Sequence, residues 1–234
     1  MTNTTRLGKI LKRLEKFYGK QKPVGPTDAY EMVIYRNSGY PQSDARCGNG
    51  FEALKREIGL RPEEILAAPD ARLAEVMRAG GMVPELRARR LKEIALMVVR
   101  DFGGDLQAAL KLPPKEAKKA FKRFPTIADA GAEKILLFTG TAAVAALPSN
   151  GIHVPLRLGF GTERKSWAAS YRGAQEAVRT ELPEDCDSHL RAYLLLKRHG
   201  EELCRNTQPI CERCPVSDEC RYYGKMSGKP RSTR

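Results

Sequence analysis

The sequence is short of acids. Against 41 lysines and arginines stand 28 aspartates and glutamates, a formal net charge of +13. That excess favours a polyanionic partner, double-stranded DNA first among them, although a generally basic surface would read the same. Long apolar runs are lacking too: the longest, 135–147, is broken by Thr139, Gly140 and Thr141 and is too short to span a bilayer. No apolar core follows the polar start Met1-Thr-Asn-Thr-Thr-Arg6, so no secretory signal is read, and a cytoplasmic protein is expected, nucleoid-associated if it holds DNA. No alternation of period two is sustained, which removes strands and predicts an all-α fold. With 41% apolar and 29% charged residues, the 234-residue chain can bury one sizeable core or two small ones, and a monomer is expected.

Cysteine is used sparingly and in one place. Four of the six cysteines form the array Cys204, Cys211, Cys214 and Cys220, with gaps of six, two and five residues. Zinc would ask for two Cys-x-x-Cys knuckles, and there is one. The uneven spacing suits a cubane 4Fe–4S cluster better, because each thiolate must reach a different iron. Two disulfides, or four unrelated thiols, would also use four cysteines, but nothing else resembles a disulfide-stapled domain. Cys47 and Cys186 lack close partners and are expected to be buried thiols.

In order along the chain, Leu7, Ile10, Leu11, Leu14 and Phe17 predict an amphipathic helix over 6–19 behind Thr4 or Thr5, with Lys9, Lys12, Arg13, Lys16 and Lys20 outward. A linker with two prolines follows, and Thr27 is read as the cap of a helix through Ala29, Val33 and Ile34. Further helices are read around Phe51, from Pro62, and over 71–78. The break Gly80-Gly-Met-Val-Pro84 precedes a long helix whose outer face is expected to carry Arg87, Arg89, Arg90 and Lys92. Segments 105–111 and 115–123 read as short helices, the second bearing Lys115, Lys118, Lys119, Lys122 and Arg123. The tail 224–234 is polar and basic and is expected to be disordered.

Three stretches in this order carry a family resemblance over nearly the whole chain. His199-Gly-Glu-Glu-Leu-Cys204 with the cysteine array, Phe124-Pro-Thr-Ile-Ala-Asp-Ala-Gly-Ala132, and Leu147-Pro-Ser-Asn-Gly-Ile-His-Val154 leading to Arg157-Leu-Gly-Phe160 resemble endonuclease III/MutY-like helix-hairpin-helix (HhH-GPD) DNA glycosylases. The resemblance implies two lobes, a central helical lobe over 28–143 with its hairpin at 124–132, and a cluster lobe from 1–27 and 144–223. It implies DNA in a cleft between them, a 4Fe–4S cluster on the four cysteines, and a glutamine, here Gln42, that fills the gap left by an extruded base. It also implies an intercalating side chain, here Met82 or Val83.

The hairpin departs from the family pattern hydrophobe-Pro-Gly-hydrophobe-Gly: Thr126 and Ala128 stand for its glycines, which should strain the turn and weaken its grip on a phosphate. The position of the family's nucleophilic lysine is Ala130, and that of its aspartate is Pro148, or Ser149, Asn150 or Gly151 if the gap is shifted, none of them an acid. Lys134, one helical turn on, and His153 are the remaining candidates for a nucleophile and a base. The expected function is therefore a non-catalytic, cluster-containing relative that recognises DNA structure or damage, with Gln42, Met82, Thr126, Ala128, Lys119 and Lys122 contacting DNA. A glycosylase or lyase using Lys134 or His153, and a redox or protein-interaction module that binds no DNA, are the alternatives.

Overall fold

The computed structural model describes residues 5–228, and among these there are helices and 3₁₀ turns but no strand. The chain divides into two compact units, one from 1–22 with 142–234 and one from 23–141, so the observed boundaries are 22/23 and 141/142. No helix among the described residues is long and apolar enough to cross a membrane.

The first unit opens with α1 (Arg6–Tyr18), whose N-cap Thr5 accepts from the Gly8 amide. Leu7, Ile10, Leu11 and Leu14 are at most 1% exposed, a gross stabilisation of about 6–12 kcal/mol at ~1.5–3 kcal/mol per side chain. Phe17, expected on the same face, is 49% exposed and meets only the edge of Tyr18. The covering surface comes from the far end of the chain.

The second unit contains α2 (Ala29–Asn37), α3 (Asp44–Glu57), α4 (Pro62–Ala67), α5 (Asp70–Met77) and a 3₁₀ turn at Arg78–Gly80. It continues with α6 (Pro84–Phe102), α7 (Gln107–Leu110), α8 (Pro114–Phe121) and α9 (Asp129–Phe138). Leu91, Ile94, Ala95 and Val98 of α6 are fully buried, and α2, α4 and α5 pack round them. The cap of α2 is Asp28 rather than Thr27: its carboxylate accepts from Glu31 N, a better acceptor for the positive helix end than a hydroxyl. Arg87, expected on the outer face of α6, is buried, because its position in the first turn points it back under the preceding loop.

The first unit is completed by α10 (His153–Leu158), α11 (Trp167–Arg179), α12 (Cys186–Glu202), 3₁₀ turns at Cys211–Arg213 and Ser217–Glu219, and α13 (Arg221–Ser227). α12 packs on α1, and Arg191 pairs with Glu15 at 2.9 Å across that contact. Residues 224–227, expected in a disordered tail, lie in α13, whose Gly224 amide returns to Cys220 O; 229–234 lie outside the described residues. Cys47 is buried as expected, whereas Cys186 is only half-buried, at the first turn of α12.

Candidate metal centre and nucleic-acid interface

Cys204, Cys211, Cys214 and Cys220 all line one pocket in the first unit, a small one of about 20 Å³. The chain reaches it by a loop after α12 that two 3₁₀ turns tighten, with Cys211 beginning the first and Cys220 capping α13. All four are half-buried and none is in a disulfide. Burial pushes the Cys204 and Cys211 thiols up and the Cys214 thiol up to about 12, and neighbouring thiolates add to each shift. Cys204, Cys211 and Cys214 therefore sit where burial and neighbouring sulfur penalise uncompensated negative charge. Among the described residues no three His, Cys, Asp or Glu side chains close on a single metal ion.

A shell of donors surrounds the sulfurs. Arg157 Nη1 lies 3.6 Å from Cys204 Sγ and donates to Arg205 O at 2.6 Å, while Nη2 donates to Asn206 O at 2.7 Å. The Arg157 guanidinium also stacks 4.7 Å over Tyr222, and its own carbonyl faces Cys220 Sγ at 3.4 Å. His199 has Nδ1 at 3.0 Å from Tyr18 Oη and Nε2 at 3.6 Å from Cys214 Sγ. Burial holds His199 down to about 4, so it is neutral near pH 7. Accepting from the Tyr18 hydroxyl, it has Nε2–H left to give to the sulfur. Arg6 and Arg13 of α1 grip the same loop, through Glu219 O at 2.7 Å and Asp218 at 2.7 and 2.9 Å. Arg157 and His199 stood in the sequence only as landmarks of motifs; the side of the cavity each lines is a tertiary fact.

In the second unit the hairpin joins α8 to α9. Thr126 is at φ 63, a left-handed conformation that a β-branched residue adopts only when held there. The holder is Asn37, fully buried at the end of α2. Its Oδ1 accepts from Thr126 Oγ1 at 3.2 Å, and its Nδ2 donates to Pro125 O at 3.0 Å and Val33 O at 2.9 Å. Ala128 corrects the expectation of a doubly strained turn: at φ −98 and ψ −170 it is ordinary extended backbone, exposed, and carries no such cost. The cations of α8 are less free than their number suggests. Lys119 pairs with Glu116 at 3.0 Å, Lys122 with Asp129 at 3.0 Å, Lys118 with Glu133 at 2.5 Å, and Arg123 with Asp101.

Gln42 sits half-buried on the turn after α2, where its amide donates to Gly39 O at 2.9 Å. Met82 is 71% exposed and Val83 57% exposed. Val83, at φ 58, is the second β-branched residue in the left-handed region, and it caps α6. An exposed apolar pair on strained backbone is unusual for a soluble surface.

No family model matches the chain. Curated relatives do: it is 26% identical to endonuclease III of Thermotoga maritima over 218 residues, 89% of this chain and 91% of that protein. It is 26% identical to the thymine/uracil-DNA glycosylase of Methanothermobacter thermautotrophicus over 166 residues, 70% of this chain and 69% of that one. Among solved structures, a trapped endonuclease III–DNA covalent intermediate superposes with a TM-score of 0.72 at 18% identity, covering 94% and 96% of the two chains. A thermostable thymine-DNA glycosylase gives 0.71 at 21% identity, covering 94% and 97%. The chain is thus similar in sequence to endonuclease III and thymine-DNA glycosylases over most of its length, and it shares their helical fold.

Ala130 lies half-buried in the first turn of α9. Pro148 is buried, in an extended segment whose Leu147 amide donates to the Tyr171 hydroxyl at 3.2 Å. Lys134, on the same helix as Ala130, has Nζ 5.0 Å from the Phe138 ring centre. Glu133, the nearest acid in sequence, is 5% exposed and bound to Lys118. His153 Nε2 lies 2.6 Å from Cys204 O, and burial lowers its basicity. The ring thus ties α10 to the cysteine loop.

Proposed function

We propose that this chain is a non-catalytic member of the endonuclease III-like helix-hairpin-helix superfamily: a 4Fe–4S protein that recognises duplex DNA, by its structure or its damage, without cleaving the glycosidic bond. The observation that carries the reading is the pair Ala130 and Pro148, a methyl and a pyrrolidine where the family pattern has a nucleophilic amine and a carboxylate. The substitutes suggested by sequence have other occupations. His153 holds the Cys204 carbonyl, and Lys134 lies along Phe138. DNA binding is supported by the fold shared with the endonuclease III–DNA complexes and by the net charge of +13.

The donor set fits a cluster of several irons. Four cysteine sulfurs line one pocket, and cationic or N–H groups stand behind Cys204 and Cys214. Cys204, Cys211, Cys214 and Cys220 would hold it, and bound there it supplies positive charge that stabilises the thiolates and knits loop to helix. Arg157 orients Cys204 and fixes the 205–206 backbone, while His199 and Tyr18 relay one hydrogen bond from α1 to Cys214. None of these groups needs to move a proton for that task.

The deciding experiment is a single-turnover reaction of the brown, folded protein on duplexes carrying an abasic site or an oxidised pyrimidine, with borohydride to trap a Schiff base. No product and no adduct is expected. A trapped adduct that Lys134→Ala abolishes would place the nucleophile at Lys134 and end the non-catalytic reading.

A further inference from the structure

Gln42 and Met82 sit on separate turns, and the sequence ties neither to the other. One side chain does. Arg87, in the first turn of α6, is 2% exposed and donates to two carbonyls, Met82 O on one turn and, at 3.2 Å, Gly39 O on the other. The backbones beneath it are pressed together as well. A Cβ on Gly80 or on Gly50 would overlap the Ser38 carbonyl oxygen, so the two turns pack at glycine distance. Among the described residues its Nε has no hydrogen-bond partner, and burial depresses its basicity. A cation buried with a donor unsatisfied burdens the fold. Its retention has a physical reason where the two carbonyls it fixes must stay in register.

We propose that Arg87 is a positioning residue that locks the 38–42 turn and the 80–83 turn into one rigid two-pronged probe. Gln42 and the exposed Met82–Val83 pair then meet a duplex as a unit, with their spacing set before contact. The left-handed Val83 is held at the root of its prong by the same clamp, since Arg87 binds the carbonyl immediately before it. Being 2% exposed, Arg87 acts through the two turns and not by touching a phosphate. The proposal rests on the reading of these turns as DNA-contacting, but its structural half, the coupling of the turns, can be measured without DNA.

The test uses the full chain, with Arg87→Met as the variant that keeps the apolar stem and removes the clamp, and Arg87→Lys as one that restores a single donor. In the free protein, hydrogen exchange at the 39–43 and 80–83 amides should rise together by about tenfold or more in Arg87→Met, with α9 unchanged and Arg87→Lys intermediate. Binding to an abasic-site duplex is then followed by anisotropy for Gln42→Ala, Met82→Ala and the double variant. In the wild-type background the double loss should differ from the product of the single losses by about threefold or more; in Arg87→Met the losses should multiply. The salt slope should be the same in both backgrounds, and a slope shallower by about one in Arg87→Met would mean a direct phosphate contact and overturn the positioning role. Turns that exchange unchanged, or one without the other, overturn the clamp. A wild-type protein that binds no duplex refutes the DNA reading instead, and the exchange result still decides the clamp.

Discussion

Cys214 concentrates the physics of the cavity. As a thiol it is raised to about 12, with burial first among the causes and three neighbouring sulfurs adding, and only a positive centre makes its thiolate tenable. Cys214→Ala should remove the brown absorbance and lower the melting temperature by ~10 °C, the shift that a loss of about 3 kcal/mol gives a chain of this size at ~2–4 °C per kcal/mol. Unchanged absorbance and melting would show that the sulfur is not a ligand. Thr126 makes the opposite kind of prediction. Its left-handed conformation costs about 1–2 kcal/mol, offset by the hydrogen bond to Asn37. Thr126→Gly should leave stability within about 1 kcal/mol and tighten duplex binding several-fold, because the turn amides then come closer to a phosphate. Equal affinities by anisotropy would show that this turn does not meet the backbone. Neither the Asn37 brace nor the His199 relay was legible in the sequence. Both are polar side chains whose partners lie far along the chain, and neither periodicity nor spacing records such pairs.

At the level of elements, helices that start on a cap and bury a stripe were readable. α1, α4 and α6 begin within a residue or so of where Thr5, Pro62 and Pro84 put them. α11 and α12 had gone unread, although Ser166 and Asp185 cap them by accepting from Ala169 N and Ser188 N. Their apolar faces are diluted by half-exposed aromatics such as Trp167. The basic appearance of α8 was legible as composition and misleading as electrostatics, since Glu116 of the same helix engages Lys119 while the acids that engage Lys118, Lys122 and Arg123 lie on α9 and α6. Asp101 at the end of α6 shows the same economy. Arg100 and Arg123 hold its carboxylate down to about 2, well below the usual carboxylate range. A carboxylate depressed in the folded state stabilises above its unfolded pKa of about 4 and loses that contribution as pH falls towards 2. Asp101→Asn should therefore melt lower than wild type at pH 7 and converge with it near pH 2. Parallel melting curves at both pH values would show that the pairs contribute nothing.

For the whole molecule, a net charge of +13 overstates what is free to meet a polyanion. Lys118, Lys119, Lys122 and Arg123 each already hold an acid. Duplex affinity should accordingly fall with salt along a slope of about −2 to −4, a few phosphates' worth, where every cation of the basic helices acting together would give a far steeper line. A steeper slope would mean that the ion pairs open on binding.

The unit that carries the four-cysteine array is built from two stretches far apart in sequence, 1–22 and 142–234. Its first helix emerges from the ribosome with Leu7, Ile10, Leu11 and Leu14 uncovered, and their cover, α12, follows only after some 170 residues of other chain. The unit over 23–141 has all its own contacts long before then. Synthesis thus has a built-in order, in which the 23–141 unit can close on itself before any of the four clustered cysteines has been made.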